Sequence, residues 1–157
     1  MSKPVHSLTR RASRLASIQA LYQMDIGGGL STTVVKEFID HRFGVVDIEN
    51  KSKVDELFFT ELVEGVVKNQ EILDKRLSDK LSKGWPLYLI DSTVRAILRS
   101  ACFEIVFRPD VPALVIIDQY VSISSDFFAG KEIGFINGTL DSIAKDVRKA
   151  EFGLVGE

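Results

Sequence analysis

Cysteine and histidine are scarce in this chain, which contains one cysteine and two histidines. Cys102 alone cannot form an internal disulfide, and its place in an apolar helical stripe favours a core role over a reactive one. His6 and His41 are far apart, and neither has a partner at metal-ligand spacing. The sequence therefore argues against a structural zinc site, and we expect no metal and no cofactor.

Long apolar runs are also missing. No uninterrupted run approaches the ~20 residues that a membrane-spanning helix needs. The opening MSKPVHSLTRRAS lacks the apolar middle of a signal peptide. Its arginines and serines would fit a transit peptide, but the helix that this segment opens carries core residues. We therefore expect a cytoplasmic protein of about one domain.

The motifs of the common enzyme classes are missing as well. The GGG at residues 27–29 is followed by LSTTV, without the lysine of a phosphate-binding loop. No G-x-S-x-G nucleophile motif is present, and no pair of carboxylates stands out as an acid/base couple. The sequence thus gives no reason to expect catalysis.

Positive charge is unevenly distributed along the chain. The net charge is −2, yet residues 1–24 contain Lys3, Arg10, Arg11 and Arg14 and no acidic residue. A basic end on an acidic body indicates an arm that binds a polyanion such as nucleic acid. A solvated helix start is the alternative, and four charges do not exclude it.

Apolar residues recur with the helical period over most of the chain, which predicts an all-α protein. Gly27 ends the first helix, Ser31 or Thr32 can cap the second, and Asp91 can cap a later one. Whether 53–81 forms one helix or two broken near Asn69 stays open. The predicted helices cover about 7–26, 31–42, 53–81, 91–107, 112–128 and 135–149, with a loop over 44–50.

Two stretches could also form strands. The apolar run ALVII fits a buried strand, but its continuation places Ile116, Tyr120 and Ile123 in one helical row, so the length favours a helix opened by Pro112. In FINGTLDSIA, the pair Asn-Gly is a strong hairpin signal. The residues after it do not alternate, so we predict a helix here too.

Gly138 then lies inside a helix, where it costs roughly 1 kcal/mol relative to alanine. Close packing of another helix is the favoured reason, and approach of a ligand backbone is the alternative. Phe135 lies off the apolar stripe of this helix, on the side that carries Lys131 and Gly138. An aromatic beside a lysine is typical of surfaces that stack single-stranded nucleic acid, although a lone exposed aromatic is also common.

Five stretches stand out together along the chain: RRASRLASIQALYQMD, FFTELVEGVV, LIDSTVRAILRSACFEI, RPDVPALVIIDQYVSIS and GFINGTLDSIA. In this order and at these spacings, from about Ser7 to Arg148, they resemble the NusB family of transcription antitermination factors. The resemblance implies an all-helical fold of two small subdomains, at about 7–83 and 87–150, and no enzyme activity.

The resemblance also implies partners. Family members bind the boxA element of nascent RNA, especially ribosomal RNA, together with NusE, a small-subunit ribosomal protein. With other Nus factors they help assemble an RNA polymerase complex that resists termination. Two alternatives stay open: an RNA-binding domain like that of some ribosomal RNA cytosine methyltransferases, and a helical adaptor that binds only protein.

The family's functional positions can be carried over residue by residue. Lys131 stands where some members have an acidic residue, and Val94, close to Asp91, stands where some carry a glutamate that contacts NusE. We therefore place a partner contact at Asp91 and Val94. The RNA-binding residues that the resemblance implies are Arg10, Arg11, Arg14, Tyr22, Phe127, Lys131 and Phe135.

Overall fold

The structure is a computed structural model that describes residues 3–43 and 54–154, and within these ranges the regular elements are helices. The all-helical prediction is confirmed, while the loop predicted over 44–50 lies outside the described residues. The α-helices are α1 (Lys3–Gly27), α2 (Ser31–Glu37), α3 (Glu56–Lys68), α4 (Gln70–Asp79), α5 (Ser92–Phe107), α6 (Ala113–Ser124) and α7 (Gly130–Val147). A π-helical turn covers Phe38–Arg42, and 3-10 turns cover Leu87–Leu89 and Lys149–Phe152.

The chain forms two compact units, Met1–Lys68 and Asn69–Glu157. The boundary coincides with the break between α3 and α4, where Asn69 leaves the helical region at φ −109° and ψ 17°. The turn at Gly84-Trp85-Pro86 lies inside the second unit. The subdomains implied by the resemblance, at about 7–83 and 87–150, stay a prediction.

The first unit is built on α1 packed against α3, with α2 contacting both. The Ser13 hydroxyl accepts from the Asp55 backbone N–H at 2.8 Å and so fixes the start of α3 against α1. The expected cap at Ser31 or Thr32 is wrong: Leu30 is the N-cap and makes no side-chain cap bond. The Ser31 hydroxyl instead bonds the Glu64 carboxylate on α3.

The second unit is centred on α5, which packs against α4, α6 and α7. Asp91 caps α5 as predicted, since its carboxylate accepts from the backbone N–H groups of Thr93 at 2.8 Å and Val94 at 3.1 Å. Cys102 is fully buried, and burial raises the pKa of its thiol to about 12. Its predicted core role is therefore confirmed.

The ambiguous ALVII stretch forms the first turns of helix α6, with Pro112 as its N-cap. Ile116, Tyr120 and Ile123 are fully buried, as the predicted row requires. The Tyr120 hydroxyl donates to the Glu104 carboxylate at 2.5 Å and lies 2.8 Å from the Ser100 hydroxyl. The polar end of Tyr120 is thus satisfied inside the core.

Arg148 joins three elements at one end of the second unit. Its guanidinium donates to four backbone carbonyls and pairs with Glu151 at 2.6 Å. Glu151 accepts the Ala113 backbone N–H at 2.8 Å, and that bond, followed by the Arg148 contact, holds the pKa of Glu151 below its usual range. Three of the carbonyls lie at the end of α5, where the last carbonyls of a helix lack partners within it. They belong to Glu104, Ile105 and Arg108, and the fourth belongs to Val111.

Candidate functional site

The α1 arginines differ in how far they reach solvent. Arg10 and Arg14 both lie over the ring of Phe58, with guanidinium carbons 4.4 and 5.2 Å from its centroid. The Arg10 side chain stays partly exposed, with Nε 4.0 Å from the Asp55 carboxylate. Arg14 is only 3% exposed, so it packs against the ring rather than extending into solvent. Arg11 is partly exposed.

Tyr22 lies farther along α1 and is 40% exposed. Ile26, in the last turn of α1, is 62% exposed. The two side chains lie at the end of α1, just before Gly28 turns the chain at φ 75°. Tyr22 is therefore accessible to a ligand.

A groove of about 410 Å³ in the second unit brings several predicted residues together. Phe135 and Lys131 from the proposed RNA set line it, and so do Asp91 and Val94 from the proposed partner set. The remaining lining residues are Leu81, Ser82, Trp85, Leu89, Ile90 and Glu132. Phe127 does not line the groove; it is 45% exposed, with its ring centre 6.2 Å from that of Phe128.

One wall of the groove is a short loop held by Arg95. The Arg95 Nη1 donates to the carbonyls of Ile90 at 2.7 Å, Leu87 at 3.2 Å and Tyr88 at 3.3 Å. Leu87 is buried, which anchors the loop from inside. Pro86 restricts the backbone of the preceding residue to extended conformations. The wall is thus fixed by contacts within the second unit.

The groove has an apolar interior and a charged edge. Val94 is 3% exposed and forms part of the base, whereas Phe135 is 41% exposed. Lys131 and Asp91 are exposed and Glu132 is partly exposed. Within the described ranges neither Lys131 nor Glu132 makes an ion pair. These two charges therefore remain available to a bound molecule.

The outer face of α7 carries glycines at four-residue spacing. Gly130, Gly134 and Gly138 are exposed, and a Cβ built on any of them would meet no atom within 4 Å. The favoured explanation for Gly138, close packing of a neighbouring helix, is therefore wrong for the described part of the chain. The alternative, room for a ligand, stays a prediction.

Three residues that shape the groove are absent from the sequence-based predictions: Trp85, Leu89 and Arg95. In the sequence pattern, GWP stands only as an interruption between helices. An exposed tryptophan between glycine and proline, just before a capped helix, is the signal that could have drawn attention to the loop. Nothing in the sequence pattern indicates that Arg95 reaches back to three carbonyls.

The described residues give no sign of two other kinds of site. None of their helices is long and apolar enough to cross a membrane. Their His, Cys, Asp and Glu side chains form no group of three that could hold a metal ion.

Solved structures of NusB proteins have the same fold as this chain. The Thermotoga maritima NusB structure has a TM-score of 0.74 at 29% identity, and the match covers 92% of this chain and 97% of that one. A structure of antitermination factors NusB and NusE in complex with double-stranded RNA has a TM-score of 0.72 at 20% identity, covering 87% and 96% of the two chains. At that identity the second match speaks for the fold alone.

Sequence comparisons define the family. The model of the NusB family matches residues 11–145. The transcription antitermination protein NusB of Caulobacter vibrioides is 47% identical over 140 residues, covering 88% of this chain and 94% of the relative. The protein of the same name from Maricaulis maris is 46% identical over 144 residues, covering 91% and 90%. The chain belongs to the NusB family.

Proposed function

We propose that this protein is a transcription antitermination factor that binds boxA-type RNA of nascent ribosomal transcripts together with NusE. With other Nus factors it would help assemble an RNA polymerase complex that resists termination. The observation that carries the proposal is membership of a family whose curated relatives, at 47 and 46% identity over most of this chain, bear the name antitermination protein.

The first part of the RNA surface is the exposed side of α7. Phe135 offers a ring that is 41% exposed, and Lys131, one turn earlier, is exposed without an ion pair in the described ranges. Stacking of an unpaired base on an aromatic ring contributes ~1–3 kcal/mol. The open face at Gly134 and Gly138 leaves room for a nucleic-acid backbone beside that ring.

The first unit offers RNA contacts of its own on α1. Arg10 is held over Phe58 but remains partly exposed, and Arg11 is partly exposed as well. Both can contact phosphates. Arg14 is buried, so its role is to hold Phe58 under Arg10. Tyr22 is exposed enough to stack a base, and Phe127 offers a further aromatic ring on the second unit.

The NusE contact is proposed at Asp91 and Val94. A NusB of this fold has been solved in complex with NusE and double-stranded RNA. Val94 is buried at the base of the groove, so the contact at this position is apolar, unlike the glutamate of some family members.

A methyltransferase-related role has less support. The Caulobacter and Maricaulis relatives are matched over 94 and 90% of their own lengths, and they are named antitermination proteins. No group in the described residues suggests catalysis, and no structural feature favours a protein-only adaptor over an RNA binder. The test below distinguishes the protein-only adaptor, which would not bind RNA.

The test is fluorescence anisotropy with a boxA-like RNA and a scrambled RNA, each with and without NusE. We expect tighter binding of the boxA-like RNA. Phe135→Ala should weaken binding by ~5- to 150-fold, the equivalent of one stacked base. Lys131→Ala should lower the slope of log K against log salt by about 0.7, the value for one phosphate contact on a single strand.

Lys75→Ala is the matched control for Lys131→Ala, because Lys75 is an exposed helical lysine in the same unit, on α4. It should leave both the affinity and the salt slope unchanged. Equal affinity for the two RNAs would remove the sequence-specific claim. No RNA binding at any salt concentration would favour the adaptor.

A further inference from the structure

We infer that the groove of the second unit binds an apolar side chain from a basic segment of its protein partner, with Trp85 as the anchor of this contact. The inference rests on the proposed partnership with NusE and specifies how that contact is made. Trp85 is the single tryptophan of the chain and is 61% exposed, and Leu89 beside it in the groove is 55% exposed. Large exposed apolar side chains that line a concavity mark interaction sites.

The groove wall is arranged in advance. Arg95 ties the carbonyls of Leu87, Tyr88 and Ile90 together, and the Trp85 backbone N–H donates to the Ser82 carbonyl at 3.0 Å. A partner that binds here does not have to order the loop. Pre-ordering of a binding surface increases affinity because less conformational entropy is lost on association.

The base of the groove selects for apolar groups. Val94 is buried and Leu81 and Ile90 also line the cavity, so a polar side chain placed there would lose its water without gaining a partner. The volume of about 410 Å³ lies within the ~300–1,000 Å³ typical of sites that enclose small ligands. One or two apolar side chains of a partner fit this space.

The charges at the edge of the groove favour a basic partner. Asp91 and Glu132 bring two carboxylates against the one amine of Lys131. Lysine or arginine residues that flank an apolar side chain of the partner would be attracted by this balance. The apolar base of the groove is therefore assigned to the protein partner.

The test is isothermal titration calorimetry of the full-length protein with purified NusE. We expect Trp85→Ala to weaken NusE binding by at least about 30-fold, the loss expected for a buried aromatic at the centre of an interface. Trp85→Phe should retain most of the affinity. The heat-capacity change on binding should be less negative for Trp85→Ala, because less apolar surface is buried.

Tyr88→Ala is the matched control. Tyr88 is in the same loop and is 76% exposed, but it does not line the groove, so its removal should leave NusE affinity unchanged. Glu132→Lys tests the charge argument without touching the loop. It should weaken NusE binding by up to about 5-fold at low salt, the range of one exposed ion pair, and the difference should vanish at high salt.

The outcomes separate the inference from the proposed function. If the unmodified protein does not bind NusE, the proposed partnership fails and the inference fails with it. If the unmodified protein binds NusE and Trp85→Ala binds equally well, only the inference is overturned. If Trp85→Ala keeps its NusE affinity but loses affinity for RNA alone, the groove is an RNA site and the inference is again overturned.

Discussion

Gly138→Ala should make the protein more stable and, if the proposed RNA surface is right, a weaker RNA binder. Gly138 lies in the interior of α7, and a Cβ there would meet no atom within 4 Å. The added methyl therefore brings no clash, and the full difference in helix propensity, ~0.8–1.0 kcal/mol, should appear as added stability. For a chain of 157 residues, this corresponds to a melting temperature about 2–4 °C higher.

The RNA affinity should change in the opposite direction, because any side chain on this face occupies the space proposed for the nucleic-acid backbone. Gly138→Leu extends the test, since leucine is also a strong helix former but is much larger. Its stability should exceed that of the unmodified protein, while its affinity should fall below that of the alanine variant. The measurements are thermal unfolding followed by circular dichroism and anisotropy with the boxA-like RNA.

Ser78→Ala is the control for an effect of stability alone, because Ser78 is an exposed position near the end of α4. It should raise stability slightly and leave RNA affinity unchanged. A rise in stability with no loss of affinity in both Gly138 variants would refute the proposal that RNA crosses this face. A fall in stability would contradict the open space around Gly138.

Two further predictions concern the end of the second unit. Arg148→Met should lower the free energy of unfolding, measured in urea, by ~3–5 kcal/mol, because the substitution leaves buried hydrogen-bond acceptors unpaired. A loss below about 1 kcal/mol would contradict the contacts described for Arg148. The pKa of Glu151 is held below its usual range in the folded protein. Its contribution to stability should therefore be fully present above the unfolded-state pKa of ~4.3. This contribution should disappear as the pH falls through the lower folded-state pKa. The difference in stability between the unmodified protein and Glu151→Gln should therefore be largest near neutral pH, and a constant difference down to pH 2 would contradict this assignment.

Most of the helices could be predicted because their determinants are local. The apolar rows of α5 and α6, the cap at Asp91 and the stop after α1 at Gly27 are all readable from residues a few positions apart. Where a side chain has a choice of partner, local pattern is insufficient. Ser31 fits a cap, but its hydroxyl bonds Glu64, 33 positions away.

The candidate site was less predictable for the same reason. The off-stripe position of Phe135 predicts its exposure, which the structure bears out at 41%. Arg14, however, has the sequence context of an exposed basic residue and is buried against Phe58, which belongs to a different helix. The groove likewise depends on Trp85 and Phe135, which line the same cavity although they are 50 positions apart in the sequence.

The buried thiol has a practical consequence for spectroscopy. Because Cys102 is the single cysteine, is fully buried and has its pKa raised to about 12, maleimide reagents at neutral pH should leave it unlabelled in the folded protein. The natural sequence is thus already a suitable background for attaching one fluorophore or spin label. A cysteine introduced at exposed Lys83, in the turn before Trp85, would place that probe beside the groove, and its signal could follow NusE and RNA binding separately in one sample.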